Sequence, residues 1–324
     1  MTPLDIPLID IAVWRNGDAA SRAALAGRLD SALRNSGFLL VAGHGIDAAL
    51  RNDIRTAARK FFTLPLATKT RYATTVGGRG WLATGVEANS YYGQAPDASK
   101  PDLKESLTIG REHHTGNPEL DTAWFAPNVW PTEVPELRPL VETYTAAVRA
   151  LFLELLEMCA VALELPPDHF TALAADAPDS LNINRYPPIG VTGRPAAGQY
   201  RVGPHTDWGT LTILDRQPGY GGLQVQAPDG SWSDAPFVPD AFTVNIADLL
   251  ARWTGDRWRS TRHRVLPPPE SAPDEDLISL IAFFEIDMDI PIEPFAPPIG
   301  GGAHYPPVTA HTYLTERAKA ASVA

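Results

Sequence analysis

The stretch Gln199-Tyr-Arg-Val-Gly-Pro-His205-Thr-Asp207-Trp-Gly-Thr-Leu-Thr-Ile-Leu214 begins polar and ends in β-branched and apolar residues. Its second half reads as a strand. The same character runs from Asp179 to about Glu293. Leu181 to Tyr186 alternates, Gly221 to Ala227 and Ser231 to Asp234 flank an Asp229-Gly230 turn, and Phe242 to Ile246, Trp258 to Val265 and Leu277 to Phe284 follow. Short strands separated by turn signals predict a closed or sandwiched antiparallel barrel.

The chain before Asp179 reads differently. A short strand over 6–12 leads to a helix that Asp18 starts and Gly37 stops, with Leu25, Leu29 and Leu33 at helical spacing. Phe38 to Val41 is an apolar strand, and a second helix runs from about Asp47 to Phe62. From Thr75 to Ser99 no periodicity holds. Gly77, Gly78 and Gly80 lie there without the strand-to-helix context of a phosphate loop. A long helix over 133–163 carries a broad apolar face (Val141, Tyr144, Val148, Leu151, Phe152), and a shorter helix is expected over 168–175. Another follows from about Thr309. Three regions result: 1–178, helical with short strands; 179–293, the strand-rich core; and 294–324, a tail with a helix. The class is α+β.

A net charge of −11 over 324 residues argues against nucleic-acid or anionic-membrane partners. No apolar run is long enough to span a bilayer, and the N-terminus lacks a basic segment followed by an apolar one. The single cysteine, Cys159, excludes an internal disulfide and falls within an apolar helical pattern, which suits a structural thiol and a cytoplasmic location. Oligomeric state is not legible.

His205 and Asp207 are two apart on an extended segment, so both side chains are expected on one side. His263, in Ser260-Thr-Arg-His-Arg-Val265, must come from a strand laid alongside. Two imidazoles and a carboxylate on one face of a metal leave the opposite face open, the ligand set of non-haem Fe(II) oxygenases. His44 lies between two glycines with no carboxylate at ligand spacing, and the adjacent pair His113-His114 reads as a surface loop. Trp208, Ile281, Phe283 and Tyr91 are candidates for the pocket wall. Asn245 and Asp248 read as strand-end structure.

Beyond the motif, Pro7-Leu-Ile-Asp-Ile11, Gly37-Phe-Leu-Leu-Val-Ala-Gly-His-Gly-Ile46, Lys60-Phe-Phe-Thr-Leu-Pro65, Lys104-Glu-Ser106, Asn128-Val-Trp-Pro131, Asn184-Arg-Tyr-Pro-Pro188, Gly221-Gly-Leu-Gln-Val225 and Val244-Asn-Ile-Ala-Asp-Leu249 occur in an order spanning nearly the whole chain. In these blocks the sequence resembles the iron(II)- and 2-oxoglutarate-dependent oxygenases of the isopenicillin N synthase-like family. The resemblance implies a double-stranded β-helix (jelly-roll) core flanked by helices. It implies iron held by His205, Asp207 and His263, with 2-oxoglutarate and O2 as co-substrates and a small organic molecule hydroxylated, desaturated or cyclised. It also places Tyr186, in the family's Asn-x-Tyr motif with Asn184, near the distal carboxylate of 2-oxoglutarate.

One block departs from the pattern. The family has an Arg-x-Ser before a pair of aromatics, and that arginine and serine bind the distal carboxylate. Here Ser279 takes the serine position and Leu277 the arginine position. A buried carboxylate without a cation is expensive, so a replacement is sought. Arg201, four residues before His205, is the expected one, on the assumption that it shares that strand face. Two alternatives stay open: an oxidase of the isopenicillin N synthase type that does not use 2-oxoglutarate, and a non-catalytic metal- or ligand-binding module.

Overall fold

The computed structural model describes residues 4–88 and 97–321. In chain order the elements are β1 (Leu8–Asp10), α1 (Ile11–Asn16), α2 (Ala19–Asn35), β2 (Phe38–Ala42), α3 (Ala48–Phe62), α4 (Leu66–Lys69), β3 (Gly80–Leu82), β4 (Glu105–Gly110), α5 (Pro118–Trp124) and α6 (Leu137–Ala162). There follow β5 (Asp179–Tyr186), α7 (Ile189–Thr192), β6 (Val202–His205), β7 (Leu211–Asp215), β8 (Leu223–Gln226), β9 (Trp232–Asp234), β10 (Phe242–Ile246), α8 (Asp248–Trp253), β11 (His263–Val265), β12 (Leu277–Phe284), β13 (Pro291–Ile292), β14 (Val308–Thr309) and α9 (Ala310–Ala321).

Local chemistry sets the boundaries. Asp18 caps α2 by accepting from Ser21 N (2.8 Å), and Asp47 caps α3 by accepting from Ala49 N (2.8 Å). Gly37 adopts φ +71 just past α2, where a Cβ would meet Arg259 O at 2.0 Å, so only glycine fits. The strand expected over 6–12 stops at Asp10, because that carboxylate accepts from Ala12 N (2.9 Å) and starts α1 instead. The helix expected over 168–175 is only a 3-10 turn at Thr171–Leu173. Gly80–Leu82, inside the stretch where no period was legible, pairs with β4. Residues 248–253 form α8 rather than a strand end.

The larger sheet has the order β1-β2-β10-β7-β12-β5-β4-β3, and the smaller β6-β11-β8-β9. Strands β10, β7, β12 and β5 face the smaller sheet across the interior of the double-stranded β-helix. The expected boundary at 178/179 falls at the start of β5, yet hydrogen bonding crosses it: β2 pairs with β10 and β4 with β5. Two apolar clusters result. One lies outside the larger sheet, where α6 packs on α2 and α3 and where Tyr144, Phe152, Ile213 and Phe284 are buried. The other lies inside, with Tyr186, Val202, Leu223, Val265 and Leu277. Alternation assigns the faces of β7: Ile213 packs outward, and Thr212 and Leu214 point inward.

At the outer face Asp215 joins α3 to the sheet. Its buried Oδ1 takes Arg55 Nη2 at 2.8 Å and Arg51 Nη1 at 3.2 Å, while Arg55 Nε donates to Ile278 O at 3.1 Å. Removing one partner of a buried ion pair strands the other charges. Asp215→Ala is therefore expected to destabilise the fold by about 3–5 kcal/mol, read as a lower urea midpoint with an unchanged slope. A midpoint equal to the parent protein's would show the pair is dispensable.

Candidate active site

The site begins with the pairing of β6 and β11. His263 lies directly across from His205, and the next rung matches Val265 with Val202, a slip of one residue. The imidazole centroids are 4.2 Å apart. Each ring is oriented by its own backbone: His205 Nδ1 lies 2.8 Å from Gly203 O, and His263 Nδ1 lies 3.1 Å from Thr261 O. Both Nε2 atoms are thereby turned toward the same point. Asp207 follows β6 in a loop. Its Oδ1 lies 3.6 Å from each Nε2. Its Oδ2 accepts from Thr212 Oγ1 (2.6 Å) on β7 and from Asn245 Nδ2 (2.7 Å) on β10. The three ligand atoms lie within 4.8 Å of one another, and no other such cluster of histidine, cysteine or acidic side chains occurs among the described residues.

The donor set fits a divalent transition metal such as Fe(II). The two imidazoles oppose positive charge on each other, and Asp207 favours it. Burial and the neighbouring His205 push His263 down to about 4. Burial also opposes charge on His205, but the hydrogen bond and charge of Asp207 outweigh it and raise its pKa. Asp207 is held below the usual carboxylate range despite burial, because both imidazoles and Asn245 favour the anion.

The triad opens into a cavity of about 660 Å³. Phe38, Tyr186, Val202, Leu214, Leu223 and Val265, which pack together in the interior cluster, form an apolar part of its wall. Arg79, Thr108, Asn182, Glu285 and, from α9, Leu314 and Lys319 also line it. Trp208, Ile281 and Phe283 line it as expected, as do Asn184 and Tyr186. Tyr91 lies outside the described residues. Ser279 is buried cross-strand from Asn184, and Leu277 is cross-strand from Tyr186.

Arg201 does not take the expected position. It is 1 % exposed and absent from the cavity wall, and Glu275 holds it, with Nη1 to Oε1 at 2.6 Å. The reason is the slipped rung on β6. One extra residue between His205 and Val202 breaks the period-two count, so a face assignment counted back from His205 fails. Arg185 is paired with Glu105 and Asp276, away from the cavity, as its parity predicts. His44 is no ligand: its Nδ1 accepts from Ile46 N, its Nε2 lies 3.0 Å from Asp240 O, and its ring stacks on Phe242. Cys159 is buried, and burial pushes its thiol far up, consistent with an inert structural role.

Two functional residues were not legible. Asn245, expected to be strand-end structure, orients the metal-binding carboxylate; an amide side chain between the apolar Val244 and Ile246 was the available signal. Glu285 enters the cavity just beyond β12. Its Oε2 is buried and has no hydrogen-bond partner among the described residues, and burial together with the charge of Asp207 raises its pKa well above the carboxylate range. A Cβ at Gly209 would lie 2.1 Å from that carboxyl, so glycine leaves it room.

A jelly roll holding two histidines and an aspartate in the wall of an internal cavity defines a non-haem iron oxygenase. Family profiles agree: one described as the 2OG-Fe(II) oxygenase superfamily matches residues 178–284, and one described as the N-terminal region of a non-haem dioxygenase in morphine synthesis matches 6–133. A validamycin A dioxygenase of Streptomyces hygroscopicus subsp. limoneus is 42% identical over 94% of this chain and 83% of its own. A proline hydroxylase of Petromyces alliaceus is 32% identical over 82% of each. A Neurospora crassa enzyme crystallised with alpha-KG and thymine superposes with a TM-score of 0.83 at 28% identity, covering 98% of this chain and 97% of that one. The chain belongs to the 2-oxoglutarate- and iron(II)-dependent oxygenases.

Replacing Asn245 by Ala is expected to weaken Fe(II) binding about 10–100-fold, measured by anaerobic metal titration, with a much smaller effect on folding. Unchanged affinity would mean that Thr212 alone suffices to orient Asp207.

Proposed function

We propose that this oxygenase is isopenicillin N synthase-like and oxidises a small polar molecule seated between the triad and Glu285. The observation that carries this reading is the mixed lining of the cavity: the interior apolar cluster around Tyr186 forms one part of the wall, and Thr108, Asn182, Arg79 and Glu285 add polar groups to the same cavity as the ligands. His205 and His263 present Nε2, and Asp207 presents Oδ1. Bound iron, with 2-oxoglutarate and O2, supplies the oxidant that removes hydrogen from a substrate C–H bond while 2-oxoglutarate leaves as succinate and carbon dioxide. The apolar wall of Val202, Leu214, Leu223 and Val265 excludes water from that side of the cavity. Tyr186, Asn184 and Ser279 serve the co-substrate, and Trp208, Ile281 and Phe283 set the approach of the C–H bond. Glu285, kept neutral by its surroundings, gives a substrate hydroxyl or amine a partner it otherwise lacks.

No helix among the described residues is long and apolar enough to cross a membrane. The buried, unpaired Cys159 supports a cytoplasmic setting. Likeness to the validamycin A dioxygenase supports that compound as the first substrate to test.

The test is O2 consumption by Fe(II)-loaded protein with and without 2-oxoglutarate, with succinate measured and validamycin A followed by mass for a gain of oxygen or a loss of hydrogen. Succinate formation that requires His205 is expected. Oxygen uptake without succinate would overturn the co-substrate assignment. Glu285→Leu is expected to raise the substrate KM about tenfold or more and to spare substrate-free decarboxylation of 2-oxoglutarate. Equal KM values would remove Glu285 from substrate binding.

A further inference from the structure

The co-substrate's distal carboxylate needs a cation, and the family's place for one is filled by Leu277. That side chain is buried in the interior apolar cluster with Tyr186, Val202 and Leu223. The neighbouring cations are committed. Lys104, which does line the cavity, is paired with Glu87. Arg201 is paired with Glu275, Arg185 with Glu105 and Asp276, and Arg55 with Asp215.

Arg216 is different. It follows β7 directly and by alternation takes the face of Thr212 and Leu214, just beyond the residues that line the cavity. The last rung of the β7–β12 ladder is Asp215 with Leu280, so the next position sets Arg216 opposite Ser279. Beyond that rung the backbone ladder ends, and Ile278 N donates to the side-chain Oε1 of Gln217 at 2.9 Å. The half-buried guanidinium lies over the exposed ring of Phe237, 5.3 Å from its centroid, and bonds the backbone beside the interior cluster. Nη1 donates to Pro236 O (3.0 Å) and Ala235 O (3.3 Å), and Nη2 donates to Ala235 O (3.4 Å). Ala235 belongs to the same cluster as Tyr186 and Leu277.

Among the described residues Arg216 has no carboxylate partner, and its Nε and the second hydrogen of Nη2 carry no hydrogen bond. Those two donors form the side-on fork that grips a carboxylate with two parallel bonds. Burial pushes the guanidinium down to about 10, as expected of a cation that lacks an anion. The reach is suitable. Thr212, bonded to the iron-binding Asp207, precedes Arg216 by four residues, about 13 Å along the strand. A five-carbon diacid chelated at the metal and an arginine extended toward it span that distance.

We propose that Arg216 receives the distal carboxylate of 2-oxoglutarate, replacing from β7 the arginine that Leu277 displaces on β12, with Tyr186 and Ser279 completing the pocket. The proposal rests on the iron- and 2-oxoglutarate-dependent reading above. It moves the anchor to the adjacent strand but keeps it across from the same serine. Arg216 is a binding residue and takes no part in the oxidation itself.

The test is an anaerobic titration of the Fe(II)-loaded full-length protein with 2-oxoglutarate. It is followed by the visible charge-transfer absorption of the 2-oxo acid chelate and repeated with 2-oxopentanoate, which chelates identically but lacks the distal carboxylate. Arg216→Met is expected to weaken 2-oxoglutarate binding on the order of 100-fold and to leave 2-oxopentanoate binding unchanged. Arg216→Lys, which keeps the charge but not the fork, should fall between the two. The double variant Arg216→Leu with Leu277→Arg, which restores the family's arrangement, should recover affinity. A chelate signal that appears in the parent protein and persists at the same 2-oxoglutarate concentration in Arg216→Met and Arg216→Lys overturns the assignment alone. A parent protein that binds iron but shows no response to 2-oxoglutarate overturns both the assignment and the reading beneath it.

Discussion

The rung that sets His263 across from His205 joins two strands that are far apart in the chain, and the metal site depends on it. Burial, and then the second imidazole beside it, disfavour positive charge on His263 and push its pKa down. The third ligand comes from the loop after β6 but is aimed from the opposite sheet, by Asn245 on β10 and Thr212 on β7. The donor set therefore exists only when both sheets close on each other. Metal binding must then favour the closed barrel over any opened form, because a ligand that binds only the native state stabilises it by mass action.

How much of this was legible in the sequence follows from what each signal measures. Strands Phe242–Ile246 and Leu277–Phe284 were read to the residue, because β-branched and aromatic runs bounded by turns are local features. Helix starts at Asp18 and Asp47 were equally plain, since a capping carboxylate acts within three residues. The face of Arg201 was misread because counting by twos assumes an unbroken strand, and the slipped rung at Val202 leaves no mark in composition. Asn245 and Glu285 were missed for a related reason: a polar residue at a strand end looks the same whether it faces water or an iron ligand. Arg216 lies one strand away from where the family motif directs attention, just past the last β7–β12 rung, Asp215 with Leu280.

The cavity separates two recognition problems. Around the interior cluster the wall is aliphatic and aromatic, built from paired strands. Elsewhere it comes from residues far apart in sequence, including Arg79 after an irregular stretch and Lys319 from the last helix. Loops and tails tolerate substitution more readily than paired strands, so relatives can differ widely in what they oxidise while the barrel and its ligands stay the same.

Asp248 ties these two parts together. Its carboxylate accepts from Thr206 Oγ1 (3.1 Å), between two of the iron ligands, from Ser260 Oγ (2.6 Å), three residues before the third, and from Tyr313 OH (2.9 Å) on α9. The residue after Tyr313, Leu314, is part of the cavity wall. A single acid thus fastens the roof over the substrate to both of the segments that carry the ligands. Displacing the roof pulls on the ligand loops, so the shape of the substrate chamber and the grip on the metal are mechanically one property rather than two.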